Sequence, residues 1–230
     1  MVARLGKYTR PRRKGSIISY SMSIVEDKYI ENILSLEQID ELIKIYNTTD
    51  NYQTTTMKKL TGGKNLKTTM EVLSESDSID IDKITVCHFY KHKTPYYPHT
   101  DFHSKEKENL VIPLKVYDGP NPYLVIFDQY YNEEGRTWTF NKNINFEVNK
   151  TAKCRPYDFG SSIKGLLDED ISDKLYEYLD HYPKNYWYGL SGTPYEFKPG
   201  NAIQFDSKKI HSTSKMYCTE KLGLTIRYSL

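Results

Sequence analysis

Between residue 84 and residue 230 the chain repeatedly forms strand-length runs of β-branched and aromatic residues, then breaks them with proline, glycine and asparagine. Residues 84–90, 110–116 and 123–127 are three such runs. Asp118-Gly119-Pro120-Asn121-Pro122, between the last two, has the residues of a hairpin turn. Residues 195–205 read as two strands around Pro199-Gly200-Asn201, and residues 223–230 as a final strand. Many short strands separated by turns predict a sandwich or closed barrel. The 21 tyrosines agree, because tyrosine favours half-buried strands.

The final strand carries the most directional information. Gly223, Thr225, Arg227 and Ser229 share one face, and Leu222, Leu224, Ile226 and Tyr228 the other. The polar set is expected to face a barrel interior and the apolar set flanking helices. One such helix is expected within residues 29–47, where Leu36, Ile39, Leu42, Ile43 and Tyr46 form a stripe behind a Ser35 cap, with Thr48 and Thr49 ending it. A second is expected over about residues 170–182, striped by Ile171, Leu175, Tyr178 and Leu179. Residues 50–80 are polar and broken at Thr61-Gly62-Gly63, and suggest at most strand pieces.

Length and charge bound the rest. A chain of 230 residues suits one domain with a substantial core. We assign residues 23–230 to it, with an insertion at about 129–193. Residues 1–22 form a basic tail: six cations in the first fourteen residues outweigh the net charge of +2, so the remainder is net acidic. No aromatic platform accompanies that run, which argues against a nucleic-acid partner. No apolar stretch is long enough to span a membrane. Three cysteines without CxxC spacing argue against a disulfide framework and a cysteine zinc site, and a reducing cytoplasmic setting is expected.

The chemistry concentrates in Tyr90-Lys-His-Lys-Thr-Pro-Tyr-Tyr-Pro-His99-Thr100-Asp101. A His and an Asp two residues apart at a strand end share a face and can grip one metal ion. His211, delivered where a later strand ends, would complete a set of two imidazoles and one carboxylate. That set suits non-haem Fe(II) because it leaves the opposite coordination positions open. His88, His92, His103 and His181 are less favourably placed.

These residues resemble the prolyl-4-hydroxylase-like 2-oxoglutarate oxygenases. Tyr90, Tyr96, Pro98, His99 and Asp101 stand at that family's offsets, although its glycine between the tyrosines is absent, with Lys93 near its place. Residues 32–43 are similar to its opening helix, and Lys198-Pro-Gly-Asn-Ala-Ile-Gln-Phe205 to its approach to the distal histidine. The resemblance covers about residues 29–47, 84–128 and 195–230. It implies a double-stranded β-helix (jelly-roll, cupin-like) core in a β-rich α+β chain. His99, Asp101 and His211 would then be the iron ligands, with Fe(II), 2-oxoglutarate and O2 as the reacting set.

The resemblance further implies a tyrosine hydroxyl on 2-oxoglutarate, at Tyr90, and a cation for its distal carboxylate. Arg227, with Ser229 in an Arg-x-Ser pattern, is one candidate, sixteen residues beyond His211; Lys221, ten beyond, is the other. The expected reaction is hydroxylation of a small molecule, amino acid or peptide side chain, with release of succinate and CO2. Asp101 favours this over halogenation, because related halogenases lack the carboxylate. Substrate choice is expected in the insertion. A cupin-like oxygenase that does not use 2-oxoglutarate and a non-catalytic interaction barrel are the alternatives.

Overall fold

The structure, a computed structural model, describes residues 25–49, 57–60, 62–102, 106–131 and 163–229. The basic tail, His103, Cys154 and residues 132–162 of the expected insertion lie outside them.

In chain order the elements are β1 (Lys28–Ile30), α1 (Leu36–Thr48), β2 (Met57–Lys59), α2 (Gly63–Ser74) and a 3-10 turn at Ile81–Lys83. There follow β3 (Ile84–His92), β4 (Glu106–Tyr117), β5 (Tyr123–Tyr131), β6 (Ile163–Lys164), α3 (Asp173–Tyr176) and a 3-10 turn at Lys184–Trp187. The chain closes with β7 (Gly192–Glu196), β8 (Ala202–Asp206), β9 (Lys209–Thr213) and β10 (Glu220–Ser229).

A major antiparallel sheet has the order β1-β8-β4-β10-β3-β2. In the minor sheet β5 pairs with β6 and β7 along one edge and β9 along the other. The jelly-roll core is as expected, but two of its turns are not hairpins. β4 lies in the major sheet and β5 in the minor one, so residues 118–122 cross the sandwich. Likewise Pro199-Gly200-Asn201 leads from β7 in the minor sheet to β8 in the major one. Turn residues specify a reversal of direction, and the burial of both strand faces decides which sheet receives the next strand.

Strand periodicity distributes the core. Cys87 and Phe89 of β3, Leu110, Ile112 and Leu114 of β4, and Leu222, Leu224, Ile226 and Tyr228 of β10 pack outward against the helices. Tyr90, Val111, Leu124, Ile126, Phe197, Ile203 and Phe205 line the interior between the sheets. Ser35 caps α1 in a capping box with Gln38, and Thr49 ends the helix. The buried stripe of α1 is Ile39, Leu42, Ile45 and Tyr46, while Leu36 is 77% exposed. Each fully buried aliphatic side chain there contributes roughly 1.5–3 kcal/mol.

Two helical expectations need correction. Residues 63–74 form α2, whose Leu66, Met70, Val72 and Leu73 pack against the main core. The stripe is present in the sequence, but a glycine start without a side-chain cap obscures it. The predicted helix at 170–182 shrinks to the single turn of α3. Beyond it, Tyr178, Leu179 and Tyr182 donate to carbonyls three residues back. The Leu179 carbonyl also accepts from the Trp187 indole at 3.1 Å, which satisfies it without a longer helix. Ile171, Leu175 and Leu179 are nevertheless buried, packed with Phe127, Tyr186 and Trp187 on the outer face of the minor sheet. Residues 163–190 are therefore an integral layer of the structure.

Candidate metal centre

Residues 96–101 run beside β9. His99 and His211 exchange backbone hydrogen bonds of 2.9 Å, Thr213 donates to the Tyr96 carbonyl at 3.4 Å, and Asp101 donates to the Ser207 carbonyl at 3.2 Å. This ladder brings together residues more than a hundred positions apart in the chain. The ligand atoms of His99, Asp101 and His211 all lie within 4.8 Å of one another. The two imidazole centroids are 4.0 Å apart, and His211 Nε2 lies 3.4 Å from Asp101 Oδ2.

The backbone fixes how both imidazoles present themselves. His99 Nδ1 is 2.9 Å from the Tyr97 carbonyl and His211 Nδ1 is 3.1 Å from the Lys209 carbonyl. A carbonyl only accepts, so each Nδ1 carries a hydrogen and each ring turns its Nε2 toward Asp101. Burial, reinforced by His211, pushes His99 down to about 3, so this ring is neutral at physiological pH. Burial opposes the charge of Asp101, yet contact with His211 and the Arg227 guanidinium hold its carboxyl well below the usual range. Two ring nitrogens facing a carboxylate make a group that could hold a metal ion, with the Tyr97 and Lys209 carbonyls fixing the ring orientation.

The interior face of β10 places Gly223, Thr225 and Arg227 along the site, as the period-2 reading predicts, and brings Lys221 in at its start. Across from them on β3, His92 pairs with Lys221, Tyr90 with Gly223 and His88 with Thr225. The two candidate cations have very different surroundings. Arg227 donates to Asp101 Oδ1 and to Glu106 Oε2, each at 2.9 Å. Lys221 is fully buried, donates to Thr213 Oγ1 at 3.0 Å, and lies 4.6 Å from the Phe197 ring centroid. Among the described residues no carboxylate pairs with it, and burial pushes its amine down to about 7. Ser229 is opposite Glu106, at the far end of β10 from Lys221.

Sequence reasoning passed over several residues that complete this arrangement. Asn109 is buried and donates to Asp101 Oδ2 at 3.3 Å. Its signal is a polar residue beside the apolar run Leu110-Val-Ile. Thr213 follows His211 by two positions and so shares its strand face, which was readable. Glu106 and Phe197 carry no sequence signal of their role. His92 and His88 are both pushed down to about 4, chiefly by burial, and line the interior without joining the donor cluster.

No family model matches the sequence, and no curated protein does. Solved structures do share its architecture. A 2OG-Fe(II) oxygenase family oxidoreductase from Burkholderia pseudomallei has a TM-score of 0.50 at 10% identity, over 88% of this chain and 84% of that one. A Pseudomonas putida prolyl-4-hydroxylase has a TM-score of 0.46 at 11% identity, over 88% of this chain and 91% of that one. A viral collagen prolyl hydroxylase from Paramecium Bursaria Chlorella virus-1, solved as a 2OG complex, has a TM-score of 0.42 at 13% identity, over 89% of this chain and 96% of that one. Together with the two-sheet topology, the Burkholderia similarity gives this chain the jelly-roll fold of the 2OG-Fe(II) oxygenases.

Proposed function

We propose that the protein is an Fe(II)- and 2-oxoglutarate-dependent oxygenase that hydroxylates a C–H bond of a small molecule, amino acid or peptide. The observation that carries the reading is a His99–Asp101–His211 donor cluster that shares an interior with a buried lysine, Lys221, that pairs with no carboxylate among the described residues. Two imidazoles and one carboxylate match Fe(II), and would hold it with coordination positions left open. A buried ammonium is costly unless an anion accompanies it, and a dicarboxylate would supply that anion at Lys221. Thr213, which accepts from Lys221, lies one strand repeat beyond His211, about 7 Å along β9. A five-carbon diacid spans such a separation from a metal-bound end to Lys221. When bound, iron and 2-oxoglutarate would supply oxygen activation coupled to decarboxylation to succinate and CO2.

The chain's own residues would divide the work. His99, Asp101 and His211 hold the metal; Lys221 and Thr213 hold the distal carboxylate; Tyr90 adds a hydroxyl from the facing strand. Arg227 serves as the counter-ion of Asp101, and with Ser229 it leaves the co-substrate role. Glu106 and Asn109 complete the support of Asp101. Tyr182, from the expected insertion, stacks on Tyr97 at 5.8 Å, two residues before His99. That contact supports the insertion as part of the substrate mouth of a single oxygenase domain over residues 23–230.

The test is an anaerobic titration of the protein with Fe(II) and then 2-oxoglutarate, followed by visible absorption, with succinate release measured on adding O2 and pooled metabolites and peptides. A metal-to-ligand charge-transfer band and 2-oxoglutarate-dependent succinate are expected. Absence of both overturns the proposal.

A further inference from the structure

Gly223 sits in the middle of β10, where a glycine weakens a strand and supplies no side chain to pack. Its backbone does not ask for glycine, since it is not among the residues of positive φ. The space does. A Cβ built on Gly223 would meet Tyr90 at 2.4 Å from Oη, 2.5 Å from Cζ and 2.9 Å from Cε1. The Tyr90 phenol therefore lies across the strand at the place a side chain would occupy.

We infer that Gly223 is a positioning residue for the co-substrate: by lacking a side chain it seats the Tyr90 phenol against β10, between Lys221 and the Asp101 end of the interior. This deepens the function proposed above and rests on it. The register gives the order along the face: Lys221 opposite His92, Gly223 opposite Tyr90, Thr225 opposite His88, then Arg227 bonded to Asp101. Tyr90 thus crosses between the lysine and the metal cluster. Phe197 meets its ring edge-on at 6.3 Å and His92 lies 5.3 Å away, so neighbouring rings already occupy space around it. An alanine at position 223 would displace the phenol and with it the hydroxyl.

The experiment compares Gly223→Ala, Tyr90→Phe, Tyr90→Ala and the double variant Tyr90→Ala/Gly223→Ala with the wild type. The readouts are the KM and anaerobic Kd for 2-oxoglutarate, and Co(II) affinity by absorption. Gly223→Ala and Tyr90→Phe are each expected to raise the 2-oxoglutarate KM roughly tenfold, the loss of about one hydrogen bond. Co(II) affinity should stay within about twofold, because no metal ligand moves. In the Tyr90→Ala background, where the added methyl has room, Gly223→Ala should change KM little further.

An unchanged KM in Gly223→Ala, or a full additional loss in the double variant, overturns the inference. Should Gly223→Ala fail to fold, Tyr90→Phe and the double variant against Tyr90→Ala decide it; an unchanged KM in Tyr90→Phe is then the refuting result. A wild type that binds no 2-oxoglutarate overturns the function itself, whereas a wild type that binds it beside an unaffected Gly223→Ala overturns only the seat.

Discussion

Arg227 and Asp101 are joined by a 2.9 Å ion pair, and the same guanidinium reaches Glu106 at 2.9 Å. The arginine that an Arg-x-Ser pattern would assign to 2-oxoglutarate is thereby engaged twice, while the lysine six residues earlier has no acid among the described residues. An irregularity in the β10–β3 register falls between Arg227 and Tyr228, and such bulges re-aim side chains near sites.

Removing Arg227 should cost stability before it costs co-substrate affinity. Arg227→Leu leaves Asp101 and Glu106 in a mostly buried setting without their cation, a loss of roughly 3–5 kcal/mol by the behaviour of broken buried pairs. Urea denaturation of the metal-free protein measures it. Arg227→Lys should keep the 2-oxoglutarate KM within about threefold if the ion pair is its role. A KM rise matching that of Lys221→Met would return the co-substrate role to Arg227.

Lys221 should show the opposite balance, with 2-oxoglutarate affinity depending on it and stability suffering from it. Burial lowers its folded pKa to about 7 from 10.5. Between those values the unfolded chain holds a proton that the folded one has released, so unfolding takes up a proton and stability rises with pH across that window. Below about pH 7 the penalty is fully present. Lys221→Met should therefore be more stable than wild type at neutral pH, by roughly 3–5 kcal/mol, and lack that rise. Urea midpoints from pH 6 to 10 test this; parallel pH profiles of the two proteins would contradict it.

Co-substrate binding should follow the same proton. The groups around the Lys221 amine are Thr213, Tyr90, Phe197 and His92, with Cys218 the acidic group that acts on it. Because a dicarboxylate needs the ammonium form, the Kd for 2-oxoglutarate should rise above neutrality and approach tenfold per pH unit. Lys221→Arg, whose guanidinium stays charged, should flatten that profile even if it binds more weakly. Anaerobic titrations at a series of pH values distinguish the two. A flat wild-type profile would remove Lys221 from the binding site.

Residues 163–190 should behave as core rather than as a detachable cover. Trp187 is fully buried against Phe127 of β5 and anchors the Leu179 carbonyl through its indole N–H. Trp187→Ala is expected to destabilise the protein by about 3–5 kcal/mol. Thermal unfolding monitored by circular dichroism measures the loss. A shift of only a degree or two would mean that this layer contributes little to the fold.

Local chemistry was legible wherever one stretch of chain carries its own geometry. The alternation on residues 222–229 announced the interior and helix-facing sets of β10, and Ser35 announced the start of α1. His99 and Asp101 were readable as a pair because residues two apart in extended chain point to the same side, although here the stretch holds only a single bridge to His211 and no strand. The faint parts were those in which a local signal competes with another. α2 was missed because Gly62 and Gly63 read as a turn, and α3 was overextended because the buried spacing of Ile171, Leu175 and Leu179 survives in 3-10 turns.

By itself, then, the sequence determined which residues could serve: the alternating strands, the His-x-Asp pair, a later histidine and two candidate cations. Only the tertiary structure decided how they combine. Residues 118–122 and 199–201 had to cross between sheets, and His99 had to pair with His211 across β9, before a donor cluster existed. The choice proposed between Lys221 and Arg227 lies at the same level. Spacing places both on one face of β10, but their roles depend on which acids other strands deliver. Asp101 and Glu106 reach Arg227, and among the described residues none reaches Lys221. Charge pairing at that range is a property of distances in the folded chain, which sequence separation does not encode.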